Sequence, residues 1–431
     1  MTLRAYRRAM SAATPLASLW LRRRLHRGKE VKERLGERHG YSSLERPDGP
    51  LVWVHSASVG ELLAVVPLIE KLRAQQVRVL VTTGTVTSAD LARRRLPEDV
   101  IHQFIPLDAP RFVYRFLSHW KPDLGIFVES DLWPNLIMAS AKARIPLMLV
   151  NGRMSEDSFK AWRSLKRTAA AILGKFDVCL AQSPLDAERY SELGVPVVRV
   201  TGNLKLDVPP PPFDATNLVT MQQAVGERQI LVAASTHPGE EAAIIEAHRR
   251  IRKARPRLLT IIVPRHPERG MEVLQQAVAT GSRGMLRSRN VVPDLRTDIY
   301  VADTIGELGL FYRLAQVVFM GGSVVEHGGQ NPIEAAKLGR PILHGPHVWN
   351  FTDIYAALDA ARGAEEVENI GHLAQRVSEL LQDNAARKAM GEAGLRTVER
   401  LGGALGRTMS ELEPYLLQLR LQHQAGQASH A

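Results

Sequence analysis

From Leu51 onward, short apolar runs alternate with longer amphipathic segments, and no other feature constrains the fold of this chain as strongly. Strand-like runs stand at 51–55, 77–83, 100–105, 124–128, 146–150, 176–181 and 197–200. Between them lie segments such as 61–73, where Leu62, Val65, Val66 and Ile69 recur at helical spacing. Strands alternating with helices in this way form βαβ units on a parallel sheet. The alternation resumes at 230–235, 258–264, 298–303, 317–322 and 341–345. Between the two series stands DVPPPPFD at 207–214. Consecutive prolines fit neither a central strand nor a helix interior, and they make a stiff extended spacer.

The expected architecture is therefore α/β, with two doubly wound Rossmann-like domains facing each other across a cleft. Expected boundaries are a basic arm at 1–28, an N-terminal domain at 29–208, a proline linker at 209–215 and a C-terminal domain at 216–400. A final helix at 401–421, with the option of returning to the N-terminal domain, precedes a polar tail at 422–431 expected to be disordered. A length of 431 residues, 45% hydrophobic and 23% charged, suffices for two cores and excludes disorder throughout. The single cysteine, Cys179, excludes an internal disulfide framework and a cysteine-rich zinc module.

The net charge of +11 is concentrated at the start: residues 1–40 hold eleven Lys and Arg against three Glu. Arg22 to Arg24 stand where a secretory signal needs small residues. The uncharged run from Ala9 to Leu21 has 13 residues, interrupted by Pro15, and a membrane span needs about 20. Leu16, Leu19, Trp20 and Leu21 framed by arginines suit an anionic membrane surface. A solvated helix packed on the body and a nucleic-acid arm are the alternatives, and the chain lacks the aromatic cluster that stacks bases.

Loops after the strands carry the candidate chemistry, because doubly wound sheets bind ligands at the carboxyl ends of their strands. HSASVGE at 55–61 opens a helix with small residues; Ser58-x-x-Glu61 is a capping box, and the pattern alone favours the cap over catalysis for Glu61. ESDLWPN at 129–135 presents Glu129 and Asp131, an acid-x-acid pair that either holds a divalent metal or, through Asp131, caps the helix that Pro134 starts. GNLKLD at 202–207 places Lys205 at the domain junction. VPRHPER at 263–269 places Arg265, after Pro264, where a guanidinium fork can bind phosphate, with His266 as a second donor. In the stretch 318–341, glycine pairs flank Asn331, read as an N-cap, and Pro332, read as the first helical residue, with Ile333 and Glu334 following. That is a phosphate cradle, and Glu334 is placed to accept from ribose hydroxyls. No P-loop pattern is present.

HSASVGE, ESDLWPN, TGNLKLD, VPRHPER, DTIGELGLFY, GGSVVEHGGQNPIEAA and GPHVWNF together resemble the 3-deoxy-D-manno-oct-2-ulosonic acid (Kdo) transferases of lipopolysaccharide assembly, in the family's order from about Gly36 onward. The resemblance implies the GT-B fold and metal-free, inverting transfer of Kdo from CMP-Kdo to a lipid A precursor, with no cofactor. It implies that Glu61 is the general base and that Glu129 and Lys205 stabilise the transition state. It further implies that Pro264, Arg265, Gly306, Glu307, Leu308, Asn331, Pro332, Ile333 and Glu334 bind CMP. Ser130 and Asp131 depart from the common E-T-E-L-W-P-N, but the leading glutamate is kept. Arg4, Arg7, Arg8 and Pro15 interrupt the hydrophobic anchor with which family members often begin. Attachment to the cytoplasmic face of the inner membrane is expected, peripheral or through the N-terminus, with residues 1–28 on anionic lipid and no nucleic-acid partner. A nucleotide-sugar epimerase of the same two-domain shape is the alternative enzyme.

Overall fold

The computed structural model describes residues 2–130 and 132–428. The chain forms two compact units, 1–208 together with 402–431, and 209–401. The first unit holds seven strands: β1 (Leu51–Ser56), β2 (Arg78–Thr83), β3 (Ile101–Phe104), β4 (Leu124–Val128), β5 (Leu147–Gly152), β6 (Val178–Ala181) and β7 (Val198–Val200). They lie in the order β3-β2-β1-β4-β5-β6-β7. Every pairing is parallel, for example Val54 with Val81 and with Ile126. The order reverses between β1 and β4, which makes their carboxyl ends the ligand position of a doubly wound sheet.

Alternation along β1 explains how both faces are covered. Leu51 and Trp53 enter a core with Phe116, Trp120 and Phe127, whereas Val52 and Val54 enter another with Leu62, Val65 and Leu68. The second core also takes Ala404, Leu412, Leu416 and Leu419 from the last helix, Ala404–Ala428. The Asp207 carboxylate fixes that helix by accepting from the backbone N–H groups of Gly403 at 2.7 Å and Leu405 at 2.5 Å. Residues 422–428 are thus helical, not the disordered tail their polar composition suggests, because the apolar face one and two turns earlier holds the helix down; 429–431 lie outside the described residues.

The second unit also holds seven strands: β8 (Ile230–Thr236), β9 (Leu259–Pro264), β10 (Gly284–Leu286), β11 (Ile299–Val301), β12 (Val317–Met320), β13 (Ile342–His344) and β14 (Ala364–Glu366). Their order is β10-β11-β9-β8-β12-β13-β14, again parallel, with the reversal between β8 and β12. The proline segment has no regular structure over 209–214, and Ala215, expected in the linker, already begins a helix capped by Asp214. The segment is docked within its unit. Arg313 Nη1 donates to the Pro211 carbonyl at 2.9 Å and its guanidinium covers Phe213 at 3.9 Å. Gly309 permits this approach: a Cβ there would lie 2.1 Å from the Pro212 oxygen.

The basic arm forms two helices, Leu3–Ala13 and Ala17–His26. The Tyr6 hydroxyl donates to Asp108 at 2.9 Å and Leu21 is buried, so the arm packs on its own unit. Leu16, Leu19 and Trp20 remain exposed beside Arg22, Arg23 and Arg27. No helix among the described residues is long and apolar enough to cross a membrane.

Candidate functional site

In the first unit, the loop after β1 and the loop after β4 stand side by side at the reversal point. Glu61 lies in the first turn of the helix Val59–Arg73, and the capping box forms. Ala57 N–H donates to Glu61 Oε2 at 2.7 Å, the Ser58 hydroxyl donates to Oε1 at 2.9 Å, and Ser58 Oγ accepts from Glu61 N–H at 3.3 Å. Burial nevertheless raises the Glu61 carboxyl above the ordinary range, and the Glu129 charge adds to the rise; the two cap bonds and His55 oppose it without cancelling it. A carboxylate has about four lone-pair positions. Two donors leave room to accept a proton while the cap persists.

Glu129 follows β4 with a left-handed φ of 59°, and it forms an ion pair with Lys205 at 2.6 Å. Sequence separates these partners by the length of three strands. Asn151, at the end of β5 with φ 57°, explains the pairing. Its Nδ2 donates to Glu129 Oε1 at 3.3 Å, and its Oδ1 accepts from the Leu204 N–H at 2.9 Å, which draws the loop carrying Lys205 inward. The Tyr190 hydroxyl donates to the Glu129 carbonyl at 3.2 Å. Nothing in the local sequence of Asn151 announces this role.

Asp131 lies outside the described residues. In the first turn of the helix Pro134–Lys142, Asn135 N–H at 3.0 Å and Leu136 N–H at 2.8 Å donate to the Asp108 carboxylate. Among the described residues, no three His, Cys, Asp or Glu side chains converge as a metal site.

In the second unit, Pro264 ends β9 and Arg265 is exposed, with no side-chain hydrogen bond or ion pair among the described residues. Asn331 Oδ1 accepts from Ile333 N–H at 3.1 Å, as an N-terminal cap should. The helix begins at Ile333, however, so Pro332 occupies the cap position rather than the first helical one. Glu307 is held by Arg287 at 2.7 Å and by the Thr304 hydroxyl, which pulls its carboxyl below the ordinary range. Gly306 turns there with φ 87°, and Leu308 starts the next helix.

Glu240 was not anticipated. Its buried carboxylate accepts from the backbone N–H groups of His237 at 2.9 Å, Gly322 at 2.7 Å, Ser323 at 3.0 Å and Val324 at 3.1 Å. The amides of Gly322, Ser323 and Val324 are therefore committed to an internal carboxylate, and the expected cradle is itself largely engaged: Gly329 and Gln330 N–H donate to the Gly322 and Gly321 carbonyls, Ile333 N–H donates to Asn331 Oδ1, and Pro332 has no N–H. A signal existed: the first strand of each half runs into small or polar residues ending in Gly-Glu, at 60–61 and 239–240.

A cavity of about 410 Å³ lined by Lys121, Arg144, Tyr415 and Gln418 lies at the opposite, amino ends of β4 and β5, and no expected site residue lines it.

Residues 29–208 match the family model described as 3-deoxy-D-manno-octulosonic-acid transferase (kdotransferase). A 3-deoxy-D-manno-octulosonic acid transferase of Rickettsia bellii is 35% identical over 88% of this chain and 91% of its own. Among solved structures, a glycosyltransferase from Rickettsia africae covers 86% of this chain and 99% of its own with a TM-score of 0.59 at 12% identity. A UDP-GlcNAc 2-epimerase from Neisseria meningitidis bound to UDP-GlcNAc covers 84% and 100% with a TM-score of 0.57 at 14% identity. Those two structural likenesses establish the GT-B type of fold and, hosting different chemistries, nothing finer. The sequence relationship does more: this chain belongs to the 3-deoxy-D-manno-octulosonic acid transferase family.

Proposed function

We propose that the protein transfers Kdo from CMP-Kdo to a lipid A precursor, with inversion at the anomeric carbon and without a metal or cofactor. The observation that carries this reading is Glu61, a carboxylate of raised pKa beside the Glu129–Lys205 pair at the carboxyl ends of β1 and β4. An acceptor hydroxyl is a poor nucleophile, and a positioned carboxylate base contributes about 10²–10⁴-fold. The elevated pKa brings Glu61 nearer the operating pH, where a base is most effective. As CMP departs, the anomeric carbon becomes cation-like. Glu129 faces that developing charge, and Lys205, paired with it at 2.6 Å, fixes its carboxylate in place while offering a cation of its own. Single displacement needs the base and the leaving group on opposite faces of the sugar. The first unit supplies the base. The second holds CMP through Pro264 and Arg265, the Gly306-Glu307-Leu308 turn and Asn331 to Glu334.

Acceptor lipid lies in a membrane, and the arm at 1–28 suits its anionic surface. Leu16, Leu19 and Trp20 are exposed together, framed by Arg22, Arg23 and Arg27, as an interfacial anchor requires. We place the protein on the cytoplasmic face of the inner membrane, with no nucleic-acid partner. The test is incubation of the purified protein with CMP-Kdo, with and without tetraacylated lipid A precursor, followed by mass spectrometry. Kdo-bearing lipid formed only when both are present supports the reading. Conversion of the sugar nucleotide without acceptor, or no product at all, refutes it.

A further inference from the structure

One buried polar atom in the second unit has no use so far. His237, the residue that follows β8, is 5% exposed, and its Nδ1 has no hydrogen-bond partner among the described residues. Its other ring nitrogen, Nε2, lies 3.0 Å from Nε2 of Gln330. A side-chain amide nitrogen can only donate, so His237 Nε2 accepts, and the proton of the neutral ring sits on Nδ1. The ring is neutral near pH 7, because burial first, then His327, His266, Arg265 and Arg269, lower its pKa to about 4. A buried N–H without an acceptor is costly, and native structures rarely keep one that nothing satisfies.

The surroundings indicate what satisfies it. His266, next to Arg265, stands edge-on to His237 with ring centroids 6.1 Å apart, and His327 does so at 3.9 Å. Gln330 immediately precedes Asn331. His237 thus sits where the loops after β8, β9 and β12 meet, between two of the segments assigned above to CMP. The buried carboxylates here are already engaged, Glu240 by four amides and Glu241 by Arg269 and Thr236. Of the two arginines here, Arg269 is paired with Glu241, whereas Arg265 has no side-chain hydrogen bond or ion pair among the described residues.

We propose that His237 donates its Nδ1–H to a phosphate oxygen of the bound cytidine nucleotide, alongside Arg265. This rests on the reading of the second unit as the CMP-holding one. The phosphate of a sugar nucleotide carries one negative charge and gains a second as the sugar leaves. A fixed donor aimed at it therefore binds the leaving group more tightly than the substrate, which is the direction that favours transfer.

Calorimetric titration of the full chain with CMP and, separately, with cytidine tests this, using wild type, His237→Phe and His237→Asn. A hydrogen bond to a charged acceptor leads us to expect His237→Phe to weaken CMP binding about tenfold or more. Cytidine should bind Phe and wild type alike. His237→Asn, whose amide nitrogen can take the place of Nδ1, should stay within about threefold of wild type. Unchanged CMP binding in His237→Phe, or an equal loss for cytidine, overturns the assignment while leaving the CMP reading intact. Failure of the wild type to bind CMP overturns both. Matching thermal transitions establish that the variant folds, and His237→Ala replaces His237→Phe in the comparison if they do not match.

Discussion

Replacing Lys205 with methionine separates stability from catalysis in the first unit. The Glu129–Lys205 pair is 2.6 Å long with side chains only 14% and 18% exposed. Removing one partner of a fully buried pair costs about 3–5 kcal/mol, because it strands the other charge. Residual solvent access and the Asn151 donor at 3.3 Å reduce this to about 2–3 kcal/mol. At a urea m value of about 3 kcal/mol/M, the midpoint should fall by roughly 0.7–1 M. Tryptophan fluorescence reports on the right unit, since Trp20, Trp53, Trp120, Trp133 and Trp162 lie in it and only Trp349 in the other. Adding Glu129→Gln removes the stranded charge. The double variant should recover most of the lost midpoint, yet its transfer rate should stay about 10²–10³-fold down. A Lys205→Met midpoint within about 0.2 M of wild type, or a double variant as unstable as the two single losses combined, would refute the reasoning.

Three further outcomes follow from the geometry. Gly309→Val should destabilise the second unit in thermal unfolding, because its Cβ would meet the Pro212 oxygen at 2.1 Å; an unchanged transition contradicts the docked linker. Glu240→Ala should weaken CMP binding and lower thermal stability by about 3 kcal/mol or more, since four amides lose a buried acceptor, whereas Glu240→Gln should lose less; equal effects count against the clamp. The acid limb of kcat/KM should lie above the ordinary glutamate range, because burial raises Glu61. The base works only when deprotonated, so the rate falls as pH drops through that raised value, and a limb at or below the ordinary range contradicts the burial argument.

Long apolar runs made the central strands legible, since strands buried on both faces must be almost wholly apolar. The edge strands β10 and β14 escaped notice: each has three residues, and Gly284, Glu365 and Glu366 break any apolar signal. Ser58-x-x-Glu61 could be read because a capping box is local. Its neighbour Glu129 could be placed after a strand, but the ion pair with Lys205 depends on the order β4-β5-β6-β7 and on Asn151, neither of which leaves a local trace. His237 lies in Ser-Thr-His-Pro-Gly-Glu, which looks like an ordinary polar turn. Only packing against Gln330 and His327 gives it meaning. The tail misled for a similar reason, because composition cannot register a helix anchored from its amino end.

The central claim is that Glu61 removes the acceptor proton, and Glu61→Gln tests it most directly. The variant keeps the size and can keep accepting from Ala57 N–H, so the cap survives with little strain. Single-turnover transfer with CMP-Kdo and lipid A precursor should fall about 10²–10⁴-fold, while CMP affinity remains that of wild type. Transfer at near wild-type rate in Glu61→Gln would contradict the account.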